Sequence, residues 1–106
     1  TIHCDTDSAA SATASTGAIS THTWHHLTFS LDNSETNPSL TIYIDGKSLG
    51  STSGSASTDT DTDDLLIGGS SAANFDGQID DFRIYNHTLT GTQVKTIYNN
   101  GAVYFK

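Results

Sequence analysis

The stretch of sequence that decides the fold reads LTIYIDGK, residues 40–47. Apolar residues alternate with polar or amphipathic ones through its first half, so Leu40, Ile42 and Ile44 point to one face of a β-strand. The Asp-Gly pair that follows fits a two-residue type I′ turn, because both central residues of that turn need positive φ. The sequence therefore predicts a β-hairpin whose return strand covers residues 47–51.

A second strand is predicted before this hairpin. After Trp24, the residues Leu27, Phe29 and Leu31 alternate with polar residues and so share one face of a half-buried strand. The Asn and Pro residues of 32–39 favour turns, which makes that segment a connecting loop.

Two further strands are predicted in the second half of the chain. Residues 65–67 form a short apolar run closed by two glycines, which is typical of a buried strand. Residues 78–85 alternate again, with Phe82 and Ile84 on one face.

A short helix is predicted over residues 90–99. Thr90 and Gln93 have the spacing of a capping box, in which each side chain satisfies a backbone N–H of the first turn. The Asn and Gly residues at 99–101 tolerate the left-handed conformation of a helix C-cap. Three apolar residues at helical spacing form the face expected to pack on the sheet: Val94, Ile97 and Tyr98.

Length and composition allow one small domain with a modest core. The chain has 106 residues, of which 34% are hydrophobic and 31 are Ser or Thr. Residues 1–23 are mostly polar and predict polar strands or loop. The core must therefore come from the few alternating segments.

Charge excludes several classes of function. Acidic residues outnumber Lys and Arg by 12 to 4, and the formal net charge is -8. This charge repels the phosphates of nucleic acids and of anionic lipids, and no apolar run reaches the ~20 residues that span a bilayer. Cys4 is the single cysteine, so the chain forms no internal disulfide. We expect no nucleic-acid partner and no membrane insertion.

Three segments resemble, in order and spacing, the laminin-G-like domains of the concanavalin A-like lectin/glucanase superfamily. They are WHHLTF at 24–29, LTIYIDGK at 40–47 and FDGQIDDFRIYN at 75–86. Residues 89–101 are similar to the terminal helix of that family. The resemblance implies an all-β fold, namely an antiparallel jelly-roll β-sandwich with one short C-terminal helix.

The resemblance also implies that part of the fold is missing. Members of the family usually carry several strands before the WHH segment, whereas only residues 1–23 precede it here. We therefore interpret residues 1–106 as a single laminin-G-like domain without its N-terminal strands, with strands over 24–86 and a short helix over 90–99. We expect the missing strands to come from a longer polypeptide or a neighbouring chain, and a compact variant of the sheet is the alternative.

The sequence predicts no catalytic residue. Glucanases of the superfamily resemble one another in a strand with the pattern Glu-x-Asp-x-x-Glu, which supplies a nucleophile and an acid. This chain has one glutamate, Glu35, in a turn-like loop, and no carboxylate pair at the ~5–5.5 Å separation of retaining enzymes. We therefore expect a protein that is not an enzyme.

Calcium is a candidate ligand of two acidic sites. Asp59, Asp61 and Asp63 alternate, so their carboxylates can share one side, although the pattern departs from an EF-hand and favours a solvated acidic loop. Asp80 shares the face of the apolar residues of its strand and is expected to point inward. Backbone N–H groups are favoured over a metal as its partner.

Three nearby histidines do not predict a zinc site. His25 and His26 point to opposite faces of a strand, and His22 lies ~13 Å from His26 along it. Tetrahedral zinc needs convergent ligands, so packing beside Trp24 is the favoured role.

Aromatic side chains predict a sugar-binding platform, because their faces stack on apolar faces of sugars while their edges stay polar. Ordinary core packing is the alternative. The candidate residues, with one neighbouring amide, are Trp24, Tyr43, Tyr85, Tyr104 and Asn86. Asn86 also begins an Asn-His-Thr glycosylation sequon.

These observations predict a non-catalytic surface module for adhesion or carbohydrate recognition, within a larger extracellular or virion protein. The alternative is a structural or decoration subunit of a virion, fibre or filament, acting through protein–protein assembly. The expected partners are glycans or neighbouring subunits, and the expected location is extracellular, on a cell surface or on a virion surface.

Overall fold

The structure is a computed structural model that describes residues 2–6, 10–14, 19–34, 37–53, 66–69 and 74–102. Within these residues the chain forms two antiparallel sheets and one helix. The first sheet pairs β1 (Ile2–Thr6) with β2 (Ala10–Ala14). The second has the order β3-β4-β5, with β3 at Leu27–Asp32, β4 at Ser39–Ile44 and β5 at Lys47–Ser53. The helix α1 spans Gly91–Ala102.

The hairpin predicted from the DG pair is confirmed. Asp45 and Gly46 form the turn between β4 and β5, with φ of 51° and 73°. Positive φ at both positions matches the right-handed twist of the flanking strands, which is why this turn type joins them tightly. The return strand runs beyond the predicted end, to Ser53.

The core lies on one face of β4. Leu40, Ile42 and Ile44 are only 2%, 2% and 5% exposed. Strand β2 lies against β4 and β5, so the small sheet covers this face. The cross-strand neighbours of these residues on β3 share the face but stay 40–43% exposed, and they are Leu27, Phe29 and Leu31. The prediction that these three residues share one face of β3 is therefore confirmed, but the small sheet leaves that face partly uncovered.

The helix packs on the opposite face of the same sheet. Val94 is fully buried, and the ring of Tyr43 lies beside Gly91 at the start of α1. The Ser30 hydroxyl, on this face of β3, donates to the Leu89 carbonyl at 2.8 Å. The described helix is neither long nor apolar enough to cross a membrane.

The capping box at the start of α1 is confirmed. The Thr90 N–H donates to Gln93 Oε1 at 2.8 Å, and the Gln93 N–H donates to Thr90 Oγ1 at 3.3 Å. The helix continues through the Asn and Gly residues at 99–101 and ends at Ala102. These residues tolerate a left-handed cap but do not impose one, so the predicted end was too early.

The strand predicted over residues 78–85 is absent. The segment belongs to no strand or bridge, and all of its residues are exposed. Asp81 has a φ of 53°, and its N–H donates to the Asp80 carboxylate at 2.8 Å. A residue in the left-handed region breaks the pleat, and no described strand pairs with the segment to hold it extended.

The buried strand predicted over residues 65–67 is also not observed. Leu65 lies outside the described residues, and Leu66 and Ile67 are exposed and belong to no strand. Nearby, an isolated antiparallel bridge joins Gly69 to Asn74. The described strands are thus fewer than a jelly roll needs, and the full sandwich stays a prediction.

Candidate functional site

Asp45 connects the hairpin turn to the beginning of β3. Its Oδ2 lies 2.8 Å from His25 Nδ1, and its Oδ1 accepts the His26 N–H at 2.9 Å. Its own N–H donates to the His26 carbonyl at 2.9 Å. One turn residue therefore satisfies three polar groups of the preceding strand segment. The sequence predicts Asp45 only as a turn residue, because its contacts with His25 and His26 depend on the fold.

The far side of the His25 ring meets Ser20. Ser20 Oγ lies 2.9 Å from His25 Nε2, and the Ser20 N–H donates to the same nitrogen at 3.3 Å. With Nδ1 donating to the Asp45 carboxylate, Nε2 is the acceptor, a tautomer inferred from these partners. The hydrogen-bonded series Ser20–His25–Asp45 has the residue types of a hydrolase triad. Hydrolase sites, however, keep backbone N–H groups free to bind the oxyanion. Here the Ser20 N–H is directed at the imidazole, so the arrangement holds the strand entry in place.

His26 packs between the sheet and α1. Its ring centroid lies 5.9 Å from that of Tyr98, with the planes tilted by 45°. His26 Nδ1 is buried and has no hydrogen-bond partner among the described residues. Burial lowers the pKa of the His26 imidazole, and this effect exceeds the opposing effect of the Asp45 carboxylate. His26 therefore packs against Tyr98 of α1, whereas the prediction named Trp24 as its neighbour.

A polar and aromatic surface, here called the 81–87 arm, follows the Asp80–Asp81 bend. Arg83 Nε and Nη2 donate to the two carboxylate oxygens of Asp81 at 2.8 and 2.7 Å. Asp81 and Arg83 thus form an ion pair whose two side chains are about half exposed. The hydrogen bond to Asp81, and a second one with Tyr85, raise the pKa of the Arg83 guanidinium. The Arg83 guanidinium is thus oriented by two hydrogen bonds to the Asp81 carboxylate.

An aromatic pair and an amide continue the 81–87 arm. The rings of Tyr85 and His87 meet edge to face, with centroids 5.9 Å apart. Asn86 Oδ1 lies 3.2 Å from His87 Nδ1. Thr88 Oγ1 donates to the Leu31 carbonyl at 2.8 Å and anchors the end of the arm on β3. An aromatic face, an amide and a guanidinium therefore lie within a few residues on an exposed surface.

The structure separates the predicted platform residues. Tyr85 and Asn86 lie together on the 81–87 arm, and Trp24 is exposed just before β3. Tyr43 is only partly exposed and packs beside the start of α1. Tyr104 lies outside the described residues. His87 and Arg83 are neighbours of Tyr85 that the sequence analysis did not select, although their spacing of two residues was a usable signal.

The predicted calcium ligands fall into two sets. Asp59, Asp61 and Asp63 lie outside the described residues. Asp80 is exposed rather than directed inward, because the bend at Asp81 removes the strand that would have turned it toward the core. Its Oδ1 accepts the Asp81 N–H, the kind of partner that the sequence favoured. Within the described ranges no three His, Cys, Asp or Glu side chains converge as a metal site.

Comparison with known proteins agrees with this fold. The family model Laminin_G_3, of the concanavalin A-like lectin/glucanases superfamily, matches residues 1–95 and confirms the resemblance. The crystal structure of an S-layer domain-containing protein from Clostridium thermocellum, residues 221–444, has a similar fold, with a TM-score of 0.62 and 24% sequence identity. The match covers 84% of this chain and 44% of that chain, so this chain spans less than half of it. A search of curated proteins finds no match.

Proposed function

Because the chain belongs to the concanavalin A-like lectin/glucanases superfamily, we propose that it is a non-catalytic module for adhesion or carbohydrate recognition in an extracellular or cell-surface protein. The observation that carries the proposal is the 81–87 arm, where Tyr85, Asn86 and Arg83 are exposed side by side. Trp24, also exposed, extends the recognition surface.

The chemistry of the arm suits a sugar. The apolar face of a pyranose stacks on an aromatic ring, and Tyr85 offers such a ring, supported at its edge by His87. The Asn86 amide supplies both donors and an acceptor for hydroxyl groups, and the Arg83 guanidinium supplies donors only. An exposed aromatic face beside polar groups matches the apolar face and the hydroxyl groups of a sugar.

The carboxylates of the arm support a non-catalytic role. Both oxygens of Asp81 accept from Arg83, so this carboxylate is committed to an ion pair. Asp80 accepts the neighbouring N–H. Glycoside hydrolysis needs one carboxyl group free to donate a proton and a second one free to attack or to activate water.

Calorimetric titration of the chain with a glycan panel, in calcium and again in chelator, tests the proposal. We expect saturable binding that Tyr85→Ala weakens about tenfold, since loss of an aromatic stack costs roughly 1–1.5 kcal/mol. Leu49→Ala, an exposed change on β5, is the matched control and should bind as the parent chain does. Calcium dependence would point to the acidic residues 59–63. No glycan binding in either buffer would exclude the recognition role, and equal binding by Tyr85→Ala would exclude the 81–87 arm as the site.

A second candidate function is assembly as a structural or decoration subunit of a surface layer, virion, fibre or filament. The exposed apolar face of β3 favours it, because monomeric proteins rarely leave large apolar patches in water. One protein of similar fold is described as S-layer domain-containing. Burial of ~1,200–2,000 Å² between subunits would be expected of such a protein.

A further inference from the structure

Two apolar surfaces lie next to each other on this chain. The face of β3 is partly uncovered, and the segment 75–85 carries four apolar side chains that are more than half exposed. Thr88 and Leu89 tie the end of this segment to β3 through Leu31 and Ser30. The four exposed side chains are Phe75, Ile79, Phe82 and Ile84.

The backbone of this segment is available for pairing. Residues 78–85 belong to no ladder or bridge, although their side chains alternate as in a strand. Between described residues, the Phe75 N–H donates to the Gly68 carbonyl and the Asp81 N–H donates to the Asp80 carboxylate, and the other hydrogen bonds of the segment join the side chains of Asp81, Arg83 and Tyr85. An exposed run with alternating side chains and free N–H and C=O groups is a template for another strand.

The sequence of the segment is complementary to itself. In an antiparallel pair of two copies centred on Phe82, Asp81 of each copy lies opposite Arg83 of the other. Ile79 then lies opposite Tyr85. Opposite charges and apolar-aromatic pairs at directly opposed positions stabilise antiparallel strands. A shift of register by two residues would place Asp81 opposite Tyr85 or opposite the Asp81 of the other copy instead.

We propose that a second copy of this chain is the occupant of this surface, paired antiparallel over residues 78–86 with Phe82 at the centre. The proposal rests on the second candidate function above and specifies its interface. Each Asp81 exchanges the Arg83 two residues away for the Arg83 of the other copy. The net charge of -8 opposes association of two copies. The two Asp81–Arg83 pairs between the copies form only when Phe82 is at the centre, and they therefore select this register.

Pairing requires one local change. Asp81 must leave its left-handed conformation and give up the hydrogen bond from its N–H to Asp80. The new ladder replaces that bond, since each copy gains backbone hydrogen bonds along the pair. Edge pairing leaves both faces of the strand accessible, and it places the two Tyr85 side chains about 20 Å apart on one face. A dimer would thus present two Tyr85 rings, one from each proposed glycan surface, on the same face.

Sedimentation velocity of the whole chain, over concentrations up to millimolar, tests this interface. We expect a reversible dimer that Arg83→Asp or Asp81→Arg alone weakens about tenfold or more, because each places two like charges opposite each other. An equal mixture of the two variants should recover the dimer, since the two acidic side chains of one copy then face the two basic side chains of the other. Lys47→Asp changes the net charge by the same amount as Arg83→Asp, lies on β5, and is the matched control.

The outcomes separate the interface from the wider function. A chain that stays monomeric at all concentrations overturns both the interface and the assembly function. A dimer that the two variants leave unchanged, or that the mixture fails to recover, overturns the Phe82-centred pairing while the assembly function stands. Far-UV circular dichroism of each variant checks that the fold is retained. Recovery of the dimer in the mixture is a second check that the variants are folded, because unfolded variants would not form a dimer.

Discussion

Asp45 makes three polar contacts with the two histidines that precede β3. Its carboxylate meets the His25 ring and the His26 N–H, while its backbone adopts a positive φ. Asn tolerates this backbone conformation at least as well as Asp does, whereas Ala does not. Substitutions at this position can therefore separate the charge from the turn.

We expect Asp45→Asn to lower the free energy of unfolding by about 1 kcal/mol and Asp45→Ala by about 2–3 kcal/mol. The first variant loses the charge beside His25, and the second also loses both acceptors and strains the turn. Urea denaturation measures both values. Asp76→Asn, at an exposed position, is the control and should change the stability little. Equal stability of all the variants would show that the carboxylate does not hold the strand entry.

The stability of the fold depends on pH through His26, and burial of its imidazole sets the direction of this dependence. Its pKa in the folded chain lies below the ordinary value of 6.5, so the unfolded chain binds a proton more readily. The stabilisation from the neutral imidazole is full above pH 6.5 and is lost as the pH falls toward the folded-state pKa. The groups facing His26 are Asp45, Tyr98, Asp81 and Arg83.

We therefore expect the urea midpoint to fall between about pH 7.5 and pH 5.5 in the parent chain, and to fall less in His26→Gln. His87→Gln, which removes an exposed histidine, should keep the full dependence. An identical pH profile for His26→Gln and the parent chain would contradict a buried neutral imidazole.

The elements that were predicted from the sequence are those governed by local rules. The turn at Asp45 and Gly46 depends on two residues, and the capping box on Thr90 and Gln93. The strand predicted over 78–85 depends on a neighbouring strand, which no local pattern supplies. The ties from Asp45 to His25 and His26 also needed the fold, because alternation alone cannot show which turn meets which strand.

The capping box offers a test at the scale of one element. Thr90→Ala removes the acceptor for the Gln93 N–H and should lower the free energy of unfolding by about 0.5–2 kcal/mol. Thr92→Ala, at an exposed position in the first turn of α1, should be neutral or slightly stabilising, since Ala is the better helix former. Chemical denaturation measures the free energy of unfolding of both variants. The comparison shows whether the loss is specific to the capping position or follows from replacing any exposed Thr near the start of α1.

At the scale of the whole molecule, one face of the sheet is covered over β4 and only partly covered over β3. Ile42 is buried, whereas its cross-strand neighbour Phe29 is 43% exposed. We expect Ile42→Ala to cost about 2–5 kcal/mol and Phe29→Ala about 1 kcal/mol or less. Thermal unfolding of dilute samples measures both. A cost for Phe29→Ala as large as that for Ile42→Ala would mean that β3 is covered in solution.

The tie from Asp45 to His25 also bears on the order in which the chain folds. Asp45 and His25 are 20 positions apart in the chain, whereas the turn that contains Asp45 joins two strands that are consecutive in the sequence, β4 and β5. Local contacts form first, because short loops lose the least entropy on closure. Once the β4-β5 hairpin has formed, its turn already presents a carboxylate to the oncoming Trp24-His25-His26 segment. We therefore expect the hairpin to act as a nucleus that captures β3, and substitutions at Asp45 to slow folding more than they speed unfolding.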